Sequence, residues 1–476
     1  MKKMLVVLLL LLLPSLSFAQ ANENSKPHAV VFAHATVIDM TGAAARPDMT
    51  VVIVGDRITE IGKSDKIKLP KDALVVDATG KFLIPGLWDM HVHTFNKELF
   101  FPLFIANGIT GVRDMFGPLP AIKQWRKEME AGTTLGPRIV AAGPIVDGPK
   151  PIWPGSLAVS NADEGRKAVI TLKQDGSDFV KVYNLLPRDA YFAIADEAKR
   201  QAMVFAGHVP TSVTAAEASD AGQKSIEHLT GILLGCSAKE DEIRKEVEAR
   251  RQGGMASLIT SFISDQAKAL DSFDDKKAAE LYARFIKNKT WMSPTLTVLR
   301  SIAFIGDDDF RNDARLNYIP AFIKSGMWNQ TAFGQNVRTP QANAIAKRVF
   351  QKQLEMIGAM KRAGVEFIVG TDTPNPYVFP GFSLHDELAL MVKAGFTPLE
   401  ALQAATRNAA KYLGRLDTLG TVEKGKLADL VLLDANPLAD IGNTKKIRAV
   451  CLGGKLVEKA ALDEMLAKIE AANKKN

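Results

Sequence analysis

Cysteine is nearly absent: Cys236 and Cys451 are the only two in 476 residues. That excludes a thiolate metal site and a disulfide-framed scaffold, and a chain of this length buries a core without staples. The two lie far apart in sequence, and a bridge between them is left open. Histidine is scarce as well, at seven. Charge of one sign is missing: 60 Lys and Arg against 53 Asp and Glu leave +7, with no long basic run. Nucleic acid is therefore not expected as a partner. No Gly-rich phosphate loop follows the first strong strand, which argues against a nucleotide-binding open sheet. What remains, 47% hydrophobic and 24% charged, is the profile of a soluble globular chain. Its length suggests one large domain and one small one.

The longest apolar run, Leu5 to Leu13, stands at the start of the chain. Lys2 and Lys3 precede it, Pro14 breaks it, and Ser17-Phe18-Ala19 offers small residues at the third and first positions before a cut. Residues 1–19 read as a secretory signal peptide, too short in its apolar part to serve as a spanning helix. The mature chain is expected to start near Gln20 and to be exported, periplasmic or secreted, without a stable membrane anchor. No Cys follows the run, so a lipid anchor is not expected.

Residues 30–40, 50–62 and 73–77 are rich in Val, Ile and Thr, and Gly55-Asp56 marks a two-residue hairpin. A second β-rich part comes late, at 428–433 and 447–457, with Gly453-Gly454 as its turn. Neither part buries a core alone; residues 27–81 and 416–458 are expected to combine into one small β-sandwich. Between them, short apolar strands alternate with helical stretches such as 162–173, 188–201 and 342–362. The candidate strands are 82–93, 109–115, 138–143, 178–183, 203–208, 224–228, 290–297 and 366–372. Eight strands separated by helices argue for an α/β fold, a closed (β/α)8 (TIM) barrel over 82–415. Residues 459–476 read as a C-terminal helix and tail. The charged stretch 239–289 reads as a solvated helical insertion. The stretch 303–340, with Trp328 and Phe333, follows the seventh strand at the catalytic face and is a candidate lid.

The chemistry gathers at the strand ends. His91 and His93 lie two apart on the first strand and so face the same way. His208 ends the fifth strand, His228 the sixth, and Asp372 the eighth. Barrel active sites are built at the C-terminal ends of strands. One such His is ordinarily a rim or core histidine; four of seven, with an Asp, exceed what packing asks for. Imidazole and carboxylate together suit zinc or a similar divalent metal. Lys181, in Asp178-Phe-Val-Lys-Val-Tyr183, alternates inward with Tyr183. A buried ammonium without a partner is costly. It either snorkels to the mouth or works as a neutral amine that captures CO2 as a carbamate.

With these residues in place, the chain resembles the metal-dependent amidohydrolase superfamily, in its imidazolonepropionase-like and Xaa-Pro dipeptidase-like branch. The supporting stretches are Gly108-Ile-Thr-Gly-Val-Arg-Asp114, Gly136-Pro-Arg138, Ser383-Leu-His385-Asp-Glu387, Ala394-Gly-Phe-Thr-Pro-Leu-Glu-Ala401 and residues 420–433. The resemblance implies a binuclear centre of two divalent ions, expected to be zinc: His91, His93 and Asp372 on one, His208 and His228 on the other, and Lys181 bridging as N6-carboxylysine. It implies Asp372 as the catalytic acid and base and a small amide as partner, such as an N-acyl amino acid or an Xaa-Pro dipeptide. True imidazolonepropionases lack the fourth-strand Lys, so that activity is not expected.

Three further residues are candidates for substrate binding. Tyr183 is a donor to the oxyanion. Arg113 could serve a substrate carboxylate or a structural pair with Asp114 or Asp89. His385 could touch Asp372 or substrate, or make a structural hydrogen bond. His28 and His34 fall on the small sandwich and carry no expected chemistry. Two alternatives stay open: ester, lactone or phosphotriester hydrolysis at the same centre, and a non-catalytic metal- or solute-binding protein. Association into a homo-oligomer is left open too.

Overall fold

The computed structural model describes residues 29–251, 254–328 and 339–474. The signal-peptide segment, His28 and Phe333 lie outside the described residues. Strands Val30–Val37, Arg46–Val54, Arg57–Lys63, Leu74–Asp77 and Phe82–Pro85 join the late strands Leu430–Leu433, Ile447–Leu452 and Lys455–Glu458 in one eight-stranded sheet. Alternating apolar residues of both chain ends, Phe32, Val51, Leu83, Leu430 and Leu432 among them, form its core. The first strand forks. Residues 30–33 pair with Leu74–Asp77, while Thr36 and Val37 pair with Phe82 and Leu83. His34 sits at the fork with φ 62°. The two expected turns are present: Val54 pairs Arg57 across Gly55-Asp56, and Leu452 pairs Lys455 across Gly453-Gly454. Both of those last glycines have positive φ, the backbone a two-residue hairpin asks for.

The expected strand 82–93 is two strands. Phe82–Pro85 belongs to the eight-stranded sheet and Leu87–Val92 to a parallel one. The break is Gly86, where a Cβ would lie 2.1 Å from Thr110 Oγ1. The chain passes there from one sheet to the other because only glycine permits the approach.

Leu87–Val92 pairs in parallel with Ile109–Asp114, and that strand with Arg138–Ala141. Phe179–Val182, Val204–Gly207, Ser225–Glu227 and Trp291–Ser293 make a second parallel run. Asp178 N donates to Ala141 O and links the two. On the other side, residue Phe367 bridges Met292, and Met90 N donates to Val369 O. These bonds pass through eight chain segments and return to the first. The eighth segment, 366–372, is held by isolated bridges rather than a regular ladder. The seventh is shorter than the expected 290–297: Thr295 takes φ 48°, and the helix Leu296–Phe304 starts there.

Helices Ala162–Asp175, Arg188–Arg200, Pro340–Ala363 and Lys459–Lys474 lie where the periodicity places them. Ala162–Asp175 shows why: the Asn161 side chain accepts from Glu164 N at its start, and Gly176 at φ 87° ends it. The insertion is helical, as Glu240–Arg251, Gly254–Asp271 and Asp275–Asn288. It is not only a solvated elaboration, because Arg244, Val247, Ile263 and Ala269 line the central cavity. Among the described residues no helix is long and apolar enough to cross a membrane.

Candidate metal centre

The parallel strands stop at one level, and their last residues meet there. His91 is fully buried and His93 follows it on the same face. Their Nε2 atoms lie 3.2 and 2.9 Å from one oxygen of Asp372. His228 Nε2 is 3.8 Å from its other oxygen. The His91 and His228 rings are 4.6 Å apart, and those of His228 and His208 4.8 Å. Asp372 and His228 both turn off their segments with positive φ, 68° and 57°. Non-glycine residues held in that region are a strain found at functional sites. Gly370 makes the approach possible: a Cβ there would lie 2.7 Å from His91 Cβ and 2.9 Å from its backbone N.

The far nitrogen of three of the rings is fixed. His91 Nδ1 bonds Glu227 Oε2 at 2.8 Å, His208 Nδ1 bonds Asn184 Oδ1 at 2.8 Å, and His228 Nδ1 meets Thr295 Oγ1 at 2.5 Å. These partners set the tautomer and leave each Nε2 facing its neighbours, the arrangement typical of metal-ligating imidazoles. Burial holds His91 and His208 well below the usual imidazole range, with the Lys181 charge adding to it. Burial also pushes His228 down to about 4, against the pull of Asp372. Burial alone would raise Asp372, but the charges of His228, His91 and His93 outweigh it and hold the carboxyl below its ordinary range. Burial therefore favours neutral nitrogens on His91, His208 and His228, beside an anionic oxygen of Asp372. His91 Nε2 and His93 Nδ1 are buried without a hydrogen-bond partner. Ligand atoms of His91, His228 and Asp372 lie within 4.8 Å of one another. A donor set this close, with an orphaned imidazole nitrogen inside it, fits a divalent ion.

Lys181 is buried on the fourth strand and lines the same cavity. Burial lowers its amine to about 8, against the opposing charges of Glu227 and Asp372. Tyr183, two residues on, packs its ring 4.1 Å from that of His208. Its hydroxyl accepts from Trp153 Nε1 at 2.8 Å, and burial keeps the phenol protonated.

Two candidate substrate residues stand elsewhere. Arg113 is fully buried beneath the centre, with Nη2 2.8 and 2.9 Å from the two oxygens of Glu227. Its other nitrogens donate to Met90 O, Ser225 and Tyr412. It is a structural residue, but its partner is Glu227 and not Asp114 or Asp89. Asp114 instead accepts from Thr94 N, and Asp89 from Thr371. His385 does not reach Asp372. Its Nδ1 bonds Thr444 Oγ1 at 2.9 Å, in a separate crevice against the C-terminal helix. Glu227 is the residue the sequence reading overlooked, although it precedes His228 and shares a strand face with Ser225. Trp328 is buried, donates to Pro374 O and packs on Tyr377 and Phe379. The cysteines are both buried and free, Cys236 beside Tyr282 and Cys451 in the core of the eight-stranded sheet.

The centre opens into a cavity of about 1810 Å³ with mainly apolar walls, including Phe116, Leu229, Val298 and Ile345.

The sequence profile of the amidohydrolase family matches residues 82–457. Ochratoxinase of Aspergillus niger is 24% identical over 443 residues, spanning 79% of this chain and 75% of its own. Among solved structures, bottromycin amidohydrolase superposes with a TM-score of 0.73 at 22% identity, over 94% of this chain and 91% of its own. A Xaa-Pro dipeptidase with bound methionine in its active site gives 0.64 at 21% identity, over 90% of this chain and all of its own.

Proposed function

The chain belongs to the amidohydrolase family, hydrolases of carbon–nitrogen bonds on a TIM-barrel fold, and from that premise we propose an exported, binuclear enzyme. Its substrates in this reading are N-acyl amino acids or dipeptides of the Xaa-Pro kind. The reading rests on one observation, the convergence of His91, His93, His208, His228, Lys181 and Asp372 on one cavity wall. His91, His93 and Asp372 would hold one ion, His208 and His228 the second, with zinc the ion that suits these donors. Lys181 would join them as a carbamate: its neutral Nζ bonds the carbon of CO2 and releases a proton to water. When bound, two such ions supply a polarised scissile carbonyl and a water that ionises near neutral pH.

The side chains do the rest. Asp372, ionised at the outset, accepts the proton of the attacking water on its carboxylate and returns it to the departing nitrogen. Tyr183 aims its hydroxyl hydrogen at the tetrahedral oxyanion; Trp153 Nε1 already donates to a lone pair of the Tyr183 hydroxyl oxygen, which leaves the hydrogen free. The Nδ1 partners keep the imidazoles of His91, His208 and His228 from turning. Residues 1–19 would be removed on export. The small composite domain (27–81 with 416–458) would close the end of the barrel domain (82–415).

The test is a library of dipeptides and N-acyl amino acids offered to zinc-loaded mature protein, beside metal analysis after purification with bicarbonate. Turnover of such amides with two ions per chain supports the reading. One ion per chain refutes the binuclear centre. Turnover confined to esters or lactones refutes the substrate class.

A further inference from the structure

We propose that Arg244 is the carboxylate-binding residue of the substrate cavity, so that the enzyme selects amides carrying a free acid group. This deepens the reading above and rests on it. Arg244 is carried by the helix Glu240–Arg251 of the insertion and lines the cavity that holds the metal-type cluster. Its Nε donates to Glu240 Oε1 at 3.0 Å, and its Nη1 to the carbonyl oxygens of Val213 and Thr211 at 3.1 and 3.4 Å. Its Nη2 is buried and has no partner. A guanidinium nitrogen withdrawn from bulk water without an acceptor is costly, and the residue that carries it borders the cavity.

Charge points the same way. Glu240 is shared between Arg244 and Lys277, whose Nζ is 3.2 Å from its other oxygen. Two cations face one carboxylate, so the group keeps a positive surplus. The neighbouring cavity carboxylate, Asp265, is already engaged by both its oxygens with Arg250 at 2.7 Å. It does not neutralise Arg244.

Placement fits as well. Arg244 is anchored on Thr211, three residues after His208. Arg244 and the imidazoles line the same cavity. Ile243, Val247, Leu233, Leu234, Val298 and Leu299 also line the cavity. The favoured substrate therefore has an apolar body and one anionic end. Arginine's planar fork suits a carboxylate better than an ammonium does.

The test separates this inference from the reading on which it rests. Binding of N-acetyl-L-phenylalanine and of its neutral carboxamide, N-acetyl-L-phenylalaninamide, is measured by calorimetry on zinc-loaded protein. The same pair is titrated into Arg244→Met and Arg244→Lys, each checked for an unchanged melting profile. The expected result is at least a tenfold preference for the acid, lost in Arg244→Met and partly kept in Arg244→Lys. Equal affinity for acid and amide, no binding of either, or a preference that survives in Arg244→Met overturns the proposal. If the acid binds through Arg244 but no amide is cleaved, the carboxylate site stands and the amidase reading fails.

Discussion

Glu227→Gln probes the centre from below. In the folded chain this carboxylate is fully buried and makes four hydrogen bonds to three residues. Arg113 Nη2 reaches both oxygens, Ser225 Oγ donates at 2.5 Å, and His91 Nδ1 lies at 2.8 Å. Glutamine keeps the shape and one acceptor but turns an NH2 toward groups that are themselves donors. It also leaves the Arg113 guanidinium as a buried charge without a counter-ion. Breaking one side of such a pair costs about 3–5 kcal/mol, a large part of the roughly 5–15 kcal/mol that holds a domain together. A second effect reaches the site: without an anion behind Nδ1 the His91 tautomer is no longer fixed, and losing such a partner costs about 10–100-fold in metal affinity. The pH sense agrees. Burial raises the Glu227 carboxyl, Arg113 and Lys181 outweigh it, and the net folded value lies below the ordinary one. Its stabilisation is present above the unfolded Glu range and is lost as pH falls through the folded value. Metal-free protein would be compared by chemical denaturation, and zinc affinity by chelator competition. Arg113→Met combined with Glu227→Gln should be less damaging than the sum of the single changes by more than about 1 kcal/mol, since contacting residues couple. A single variant within about 1 kcal/mol of the parent, with unaltered zinc affinity, refutes this account of the pair.

Three further outcomes are expected. Gly370→Ala forces a Cβ against the His91 backbone and should cost about 1–3 kcal/mol, with weakened zinc binding; an unaffected melting curve and titration would count against the close approach. Asp372→Asn should keep the fold and lose most turnover, because an amide oxygen cannot accept and return a proton, and near-normal single-turnover rates would remove that role. Burial lifts Glu387 to about 8 from 4.5 even though Leu296 and Thr297 N–H groups donate to it. Between those values the unfolded chain has released the proton and the folded chain retains it, so stability from this group falls as pH rises from about 5 to 8; Glu387→Gln should flatten that slope in metal-free protein, and an identical profile would refute it.

The six strand-end residues were legible because two local facts sufficed: the residue type, and a place at the end of an apolar run. Period-two alternation turned His91 with His93, and Lys181 with Tyr183, without any knowledge of neighbours. Arg113 shows where that logic stops. Asp114 was its expected partner by proximity, yet adjacent strand residues point to opposite faces. The true partner lies 114 positions away on another strand, and no periodicity encodes that distance. His385 takes the structural one of its two readings for a related reason: it sits on the helix Phe382–Lys393, whose rotation is set by packing against the C-terminal segment rather than by the strand before it. The eighth segment was found by its sequence but not as a ladder, because bringing Gly370 onto His91 and turning Asp372 inward breaks regular pairing. The insertion is the instructive case. Its charge density read as solvent exposure, but Ile243 and Val247 are four apart, an apolar stripe on one helix face, and Arg244 adjoins it. A cation beside such a stripe is ordinarily a snorkelling surface residue. Here the stripe faces a cavity instead of a packed core, and the same spacing delivers a guanidinium to the site.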